Sequence, residues 1–272
     1  MKLQNKLIEL RSQRKAILAA NFYNLETLQA VVGGAGDAGA PIILQLSESS
    51  IHYIGLEMAV KMAKTALEES GVEGWLHLDH GSSIDLVQRC LDAGFDSVMI
   101  DASEKPMEEN IRISARAVSL ARSYGANVEA ELGYIAKLNQ QQLHSGFTQP
   151  EDARRFTRET GVNALAVSIG TAHGFYKQEP KLDLELLARI RDTIETPLVL
   201  HGSSGVPDSS LVLAIRNGIT KINLATETKN AFMTKLKSDL MSTDEIDLRI
   251  VFPRATEAAR ELILNKLRVI ES

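Results

Sequence analysis

Apolar and polar positions along the chain alternate between two textures. Short, unbroken apolar runs are followed by longer segments in which apolar residues recur at helical spacing. The runs are Ala16–Asn21, Pro41–Leu46, Trp75–Asp79, Ser97–Asp101, Asn127–Leu132, Ala164–Ile169, Pro197–His201 and Ile219–Asn223. The helical segments are Leu25–Ala38, Tyr53–Ser70, Ser83–Ala93, Met107–Tyr124, Pro150–Thr160, Asp183–Thr193, Pro207–Asn217 and Thr226–Met241. Gly94, Gly125 and Gly161 stop three of these helices, and Pro207 opens another. Continuous apolar runs are the pattern of parallel strands covered on both faces. Eight strand–helix units in 272 residues predict an α/β fold, one (β/α)8 (TIM) barrel spanning residues 1–272. An amphipathic helix over Met1–Arg14 precedes the barrel, and an extra C-terminal helix over Thr256–Val269 follows it. The competing architecture is a doubly wound sheet.

The polar residues favour the barrel. Asn21, Asp79 with His80, Asp101, Glu131, Ser168 with His173, His201 and Asn223 decorate the ends of the runs. The run beginnings carry Lys15, Gly74 and Thr220, with no matching cluster. In a (β/α)8 barrel the carboxyl ends of all strands open onto one mouth, where the chemistry sits.

Composition narrows the chemistry. The net charge of −5 argues against nucleic acid or an anionic membrane surface, both of which require a dense cationic patch. Any bound phosphate must therefore be held locally, by backbone amides, a few side chains or a metal. The single cysteine, Cys90, sits in a helical pattern, reads as packing and fits a reducing compartment. The N-terminal segment lacks the apolar core of a signal peptide, and no run approaches the ~20 apolar residues of a membrane span. The expectation is a soluble, cytoplasmic protein.

Of six histidines, His80, His173 and His201 follow the third, sixth and seventh runs, across one opening. Three imidazoles plus an open position make a catalytic zinc arrangement, with the ion acting as a Lewis acid on substrate oxygens. His77 lies lower on the same strand as His80 and reads as supporting structure, while His52 and His144 receive no role. Asp101 and Glu131 read either as a hydrogen-bonded rim or as a second or alternative metal position. Asp79, beside His80, is the candidate for acid–base work, or orients a ligand. His201-Gly202-Ser203-Ser204-Gly205-Val206-Pro207 and Asn223-Leu224-Ala225-Thr226 each open a helix. Loops of this kind after strands seven and eight bind phosphate through unsatisfied backbone amides. A phosphate held there beside a metal-gripped carbonyl describes a sugar phosphate.

These residues resemble a known family. His77-Leu78-Asp79-His80-Gly81 is similar to the H-x-D-H-G motif of class II fructose-/tagatose-bisphosphate aldolases. The likeness extends through Ala20–Asn24, Ser97–Asp101, Val128–Gly133, Ser168–Gly174, Leu200–Gly205 and Lys221–Glu227. The resemblance implies a zinc-dependent aldolase that cleaves a ketose such as fructose or tagatose 1,6-bisphosphate to dihydroxyacetone phosphate and an aldehyde. It implies Zn²⁺ on His80, His173 and His201, with Asp101 and Glu131 as an alternative metal site. Asp79 then transfers the proton. Asn21, Gly174, Gly202, Ser203, Ser204, Asn223, Leu224, Ala225 and Thr226 bind substrate. Asp247-Leu248-Arg249 is similar to the family's D-P-R segment, whose arginine reaches the second phosphate, in some members from a neighbouring subunit. A homodimer or larger homo-oligomer, and a second divalent or a monovalent cation, belong to the same expectation. Two stretches depart from the pattern. Tyr134–Gln142 lacks the family's glycines and loop acid, and Ser49-Ser50 replaces a glycine-containing stretch. The first leaves Asp79 to carry the proton alone or reports a different substrate.

Rival readings are a metal-dependent sugar-phosphate epimerase, recognised by proton exchange without carbon–carbon cleavage, and a non-catalytic sugar-phosphate binder. A Schiff-base aldolase is disfavoured because the sixth run ends Ser168-Ile169-Gly170 and Lys221 enters the eighth run near its start.

Overall fold

The computed structural model describes residues 1–133, 146–174, 176 and 179–272. The first three strands are β1 (Ile17–Asn21), β2 (Ile42–Ser47) and β3 (Gly74–Gly81), followed by β4 (Ser97–Ile100) and β5 (Asn127–Leu132). β6 (Ala164–Val167), β7 (Leu198–Leu200) and β8 (Ile219–Leu224) complete a closed, parallel barrel in chain order. β8 returns to β1 with Ala19 opposite Asn223. The helices are α1 (Leu3–Gln13), α2 (Leu25–Ala38), α3 (Glu48–Ile54), α4 (Leu56–Ser70), α5 (Ile84–Ala93) and α6 (Met107–Ala121). They continue with α7 (Pro150–Thr160), α8 (Leu184–Thr193), α9 (Asp208–Arg216), α10 (Thr226–Leu240) and α11 (Leu248–Glu271). The barrel expected from the alternating textures is the one observed.

Side-chain direction in the strands explains both the core and the site. Residues such as Leu18, Ala20, Leu44, Leu76 and Leu165 point outward and join the helices in the main apolar core. Their neighbours point inward, because successive strand residues face opposite sides. The lowest inward layer is apolar: Ile17, Ala19, Ile43, Trp75, Ala164, Ala166 and Val199 pack together with Leu3, Leu7 and Leu10 of α1. α1 therefore plugs the bottom of the barrel, and the Trp75 indole donates to the Met1 carbonyl at 3.0 Å. Above that floor most inward positions are polar, Gln45, His77, Ser97, Glu129 and Lys221 among them.

Two helices depart from the expectation. The segment expected as Tyr53–Ser70 is two helices, α3 and α4, separated by Gly55 at φ +91°. Periodicity alone runs through such a break because both helices present an apolar face to the same core. The C-terminal helix begins at Leu248, eight residues before the expected Thr256, with Asp247 capping the Arg249 amide. Pro253 suggested a boundary, but a proline near the amino end costs a single backbone hydrogen bond. Val251 and Ala255 compensate by packing against Ala30, Phe232 and Leu236. Cys90 is a fully buried free thiol, with its pKa pushed up to about 12 by burial. Among the described residues no helix is long and apolar enough to cross a membrane.

Candidate active site

Asp79 and His80 are adjacent, so in a regular strand one of them would face the helices. The β3–β4 register shifts between Leu78 and Gly81, and His80 adopts a left-handed backbone at φ +51°. Such a conformation is uncommon for a residue with a side chain and persists where the surroundings enforce it. Here it turns both side chains toward the mouth. Gly81 is required beside them, because a Cβ there would lie 2.6 Å from the Met99 carbonyl oxygen.

His80, Glu131, His173 and His201 converge, each offering a donor atom within 4.8 Å of the others. The His80 and His201 rings are 4.7 Å apart between centroids, and His80 and His173 are 5.0 Å apart. His173 lies in the loop after β6. Tyr176 ties that loop to the next one: its hydroxyl accepts from the Ala172 amide at 2.6 Å and donates to the Gly202 carbonyl at 2.7 Å. Asp101 lies behind His80, outside the four-residue convergence. One of its oxygens is 2.7 Å from His80 Nδ1, and the other accepts from the Ser103 amide and hydroxyl.

The donor set suits a cation. Burial, reinforced by His201 and His80, lowers the His173 pKa to about 3, and burial also lowers that of His201. Both rings are neutral at pH 7 and present lone pairs. Burial alone would lower His80 too, but Asp79, the Asp101 hydrogen bond and the Glu131 charge raise it to about 9. Positive charge is therefore favoured where the four donors meet. Neutral imidazoles with a carboxylate are the ligand types that zinc takes.

Asp79 is buried at the foot of this cluster. Burial would raise its pKa, but His80, His201, the Asn21 hydrogen bond and Lys221 together hold it below the usual carboxylate range. Asn21 Nδ2 donates to it at 2.8 Å and is itself anchored by Gln45 at 3.0 Å. Asn223 Nδ2 lies 3.4 Å from its other oxygen.

A cleft of about 720 Å³ opens above, lined among others by His80, Asp101, Glu131, His173, Thr226 and Lys229. At its floor a smaller cavity of about 40 Å³ brings together Asn21, Asp79, Gly174, Gly202, Ser203, Ser204, Asn223, Ala225 and Thr226. Leu224 ends β8, fully buried in the outer core. Gly202 sits at φ +67°, and a Cβ there would collide with the Ala172 carbonyl, so only glycine lets these two loops meet. Glu227 accepts from the Gly205 amide at 2.6 Å and receives Lys266 at 3.3 Å, which fastens the loop to α11. Arg249 stands apart: it pairs with Asp247 at 2.7 Å, and its side chain is 89% exposed. The departures expected at Tyr134–Gln142, and His144, lie outside the described residues.

Comparison with known proteins bears on the same residues. The whole chain, residues 1–272, matches the family model described as fructose-bisphosphate aldolase class-II. The chain belongs to the class II fructose-bisphosphate aldolase family. A fructose-bisphosphate aldolase of Geobacillus stearothermophilus is 38% identical over 255 residues, covering 91% of this chain and 88% of that protein. The crystal structure of the YdjI aldolase of Escherichia coli K12 superposes with a TM-score of 0.89 at 33% identity, over 99% of this chain and 97% of that one. The fructose-bisphosphate aldolase of Campylobacter jejuni, at 21% identity and a TM-score of 0.85, covers 99% and 94% and shares the fold. As a class II aldolase the protein is a metal-dependent carbon–carbon lyase acting on a phosphorylated ketose.

Some residues that shape this class II site carry no structural role in the sequence reading, Lys221 having been weighed there only as a Schiff-base lysine. Glu129 and Lys221 form an ion pair inside the barrel, and Gln45, Tyr23 and Tyr176 brace the mouth. Lys229 Nζ stands 5.0 Å over the Tyr23 ring at the edge of the cleft. Their signal was present: charged or amide residues in the middle of apolar runs have nowhere to go but the barrel interior.

Proposed function

We propose that the protein is a zinc-dependent ketose-1,6-bisphosphate aldolase in which His80, His173 and His201, with Glu131 adjacent, hold the ion. The observation that carries this reading is the convergence of those four donors beside an ionised, amide-held Asp79. When bound, zinc supplies Lewis acidity toward the substrate carbonyl and its neighbouring hydroxyl. The chain does the rest. In cleavage, Asp79 accepts the proton of the C4 hydroxyl as the C3–C4 bond breaks and the C4 oxygen becomes the aldehyde. The bond's electron pair stays with the dihydroxyacetone half as an enediolate, whose carbon then takes a proton from Asp79 or solvent to leave as dihydroxyacetone phosphate. In synthesis Asp79 returns the hydroxyl proton to the C4 oxygen. Asn21 and Asn223 hold the carboxylate so that this transfer needs no reorientation. Gly174, the Gly202–Ser204 turn and the Asn223–Thr226 segment take the phosphate of the dihydroxyacetone half, with backbone amides at the start of α10 directed toward it.

Arg249 fits a role at the far phosphate of a neighbouring subunit's substrate, since in its own subunit it lies outside the cleft lining. Exposed Ile246, Leu248 and Ile250 around it support a homo-oligomer. A cytoplasmic setting agrees with the free thiol of Cys90.

The deciding experiment measures dihydroxyacetone phosphate release from fructose and tagatose 1,6-bisphosphates, before and after chelation and zinc re-addition. Activity that disappears with chelator and returns with zinc is expected, and the ratio of rates names the sugar. No release from either by zinc-loaded protein refutes the bisphosphate assignment. Solvent proton exchange without cleavage would indicate an epimerase.

A further inference from the structure

One layer below the mouth, the barrel encloses two opposite charges that no step above uses. Glu129 and Lys221 are 0% and 1% exposed, and Lys221 Nζ donates to Glu129 Oε2 at 2.9 Å. A buried ion pair is poor stabilisation, because desolvation generally cancels its attraction. Its presence where apolar residues would pack points to another role. The remaining Glu129 oxygen, Oε1, is 2.8 Å from His201 Nε2.

We infer that the Glu129–Lys221 pair is a positioning device that fixes the tautomer and ring orientation of His201, so that its Nδ1 lone pair faces the metal site. The inference rests on the zinc-site reading above. An ionised carboxylate only accepts hydrogen bonds, so the hydrogen of His201 must sit on Nε2. Nδ1 then carries the lone pair, 2.9 Å from His80 Nε2 and 3.7 Å from the Glu131 carboxylate.

A competitor stands beside it. The Asn223 amide nitrogen is 3.0 Å from the same His201 Nε2. Donation from Asn223 would require a bare Nε2 and move the hydrogen to Nδ1, blocking the atom that faces the other donors. The charge-assisted bond to Glu129 is the stronger of the two, roughly twice a neutral one. Lys221 balances the Glu129 charge and is itself held in place, 3.5 Å from His77 Nε2, while His77 Nδ1 pairs with Ser97 Oγ at 2.7 Å. The orientation of one histidine is thus anchored on β3, β4, β5 and β8.

The test has two readouts. In metal-free, ¹⁵N-histidine-labelled wild-type protein, His201 should be the Nε2–H tautomer; the Nδ1–H tautomer would overturn the inference. Zinc affinity is then measured by chelator competition for wild type and two paired variants, each of which removes both charges. E129Q/K221M keeps an acceptor for His201 and should bind within about tenfold of wild type. E129L/K221M removes the acceptor and should bind about 10–100-fold more weakly, the usual effect of losing such a partner. Wild-type affinity in E129L/K221M would overturn the inference while leaving the zinc site intact. Absence of zinc binding by wild type would instead refute the site itself. Should E129L/K221M not fold, the tautomer in wild-type protein decides.

Discussion

Replacing Asp79 by asparagine removes a base while leaving its surroundings nearly intact. The Asn21 amide still finds an oxygen where it now donates at 2.8 Å, and the Asn223 contact, at 3.4 Å, is the weaker of the two. The four converging donors do not include Asp79, so zinc should stay at wild-type stoichiometry. What is lost is a carboxylate held ionised, the base of the proposed proton transfer. A positioned proton carrier contributes about 10²–10⁴-fold, or about 2.7–5.4 kcal/mol of barrier at about 1.36 kcal/mol per decade. Dihydroxyacetone phosphate release, coupled to reduction by a second enzyme, should fall by that factor in Asp79→Asn. Zinc content is measured on the same samples. Full turnover with full zinc would refute the proton-transfer role. Loss of both together would make Asp79 part of the metal site.

His173→Ala should strip metal and activity together, and unchanged zinc content would remove His173 from the ligand set. Gly202→Ala forces a side chain into the left-handed region and against the Ala172 carbonyl. A strain of about 1–3 kcal/mol is expected, raising KM for phosphorylated substrate with zinc content unchanged; an unaltered KM and melting temperature would contradict the packing described. Arg249→Ala should weaken binding only of doubly phosphorylated substrates, and an unchanged KM for a bisphosphate would refute its role. Cys90, buried with its pKa raised to about 12, should resist maleimide until the protein unfolds; rapid labelling of native protein would show it to be accessible.

The fold was legible because eight apolar runs and their polar ends repeat at regular intervals, and the strand limits differ from expectation by a few residues at most. Where the site was read from sequence, the signal was a polar residue at a strand end: Asn21, Asp79, His80, Glu131, His201 and Asn223 all gather there. Asp101 read equally well as a ligand. Its actual contact, on the far nitrogen of His80, depends on the left-handed turn at His80, which no local pattern announces. Glu129 is obscured because its strand reads as continuously apolar, and Lys221, near the start of its run, reads only as a lysine too low in the barrel for Schiff-base chemistry. Alanines at Ala164 and Ala166 blurred the inward alternation that Asn127, Glu129 and Glu131 display plainly. Gly55 separates two helices that share one hydrophobic face, so periodicity alone ran through it.

Closure of the barrel between β1 and β8 also governs when the site can come into being. Ala19 meets Asn223, about two hundred residues downstream, and α11 crosses that seam, with Arg260 bound to Asp37 of α2 at 2.6 Å and Ile263 seated over Gly34. Loop entropy must be overcome before contacts so distant in sequence reward the chain. A nascent polypeptide still lacking its last strand and helix holds Asp79 and His80 but neither Asn223 nor the clasp that fixes the first strand to the last. The four converging donors all lie earlier in the chain, so what β8 and α11 add is closure: Asn223 beside Asp79 and a barrel held shut around them.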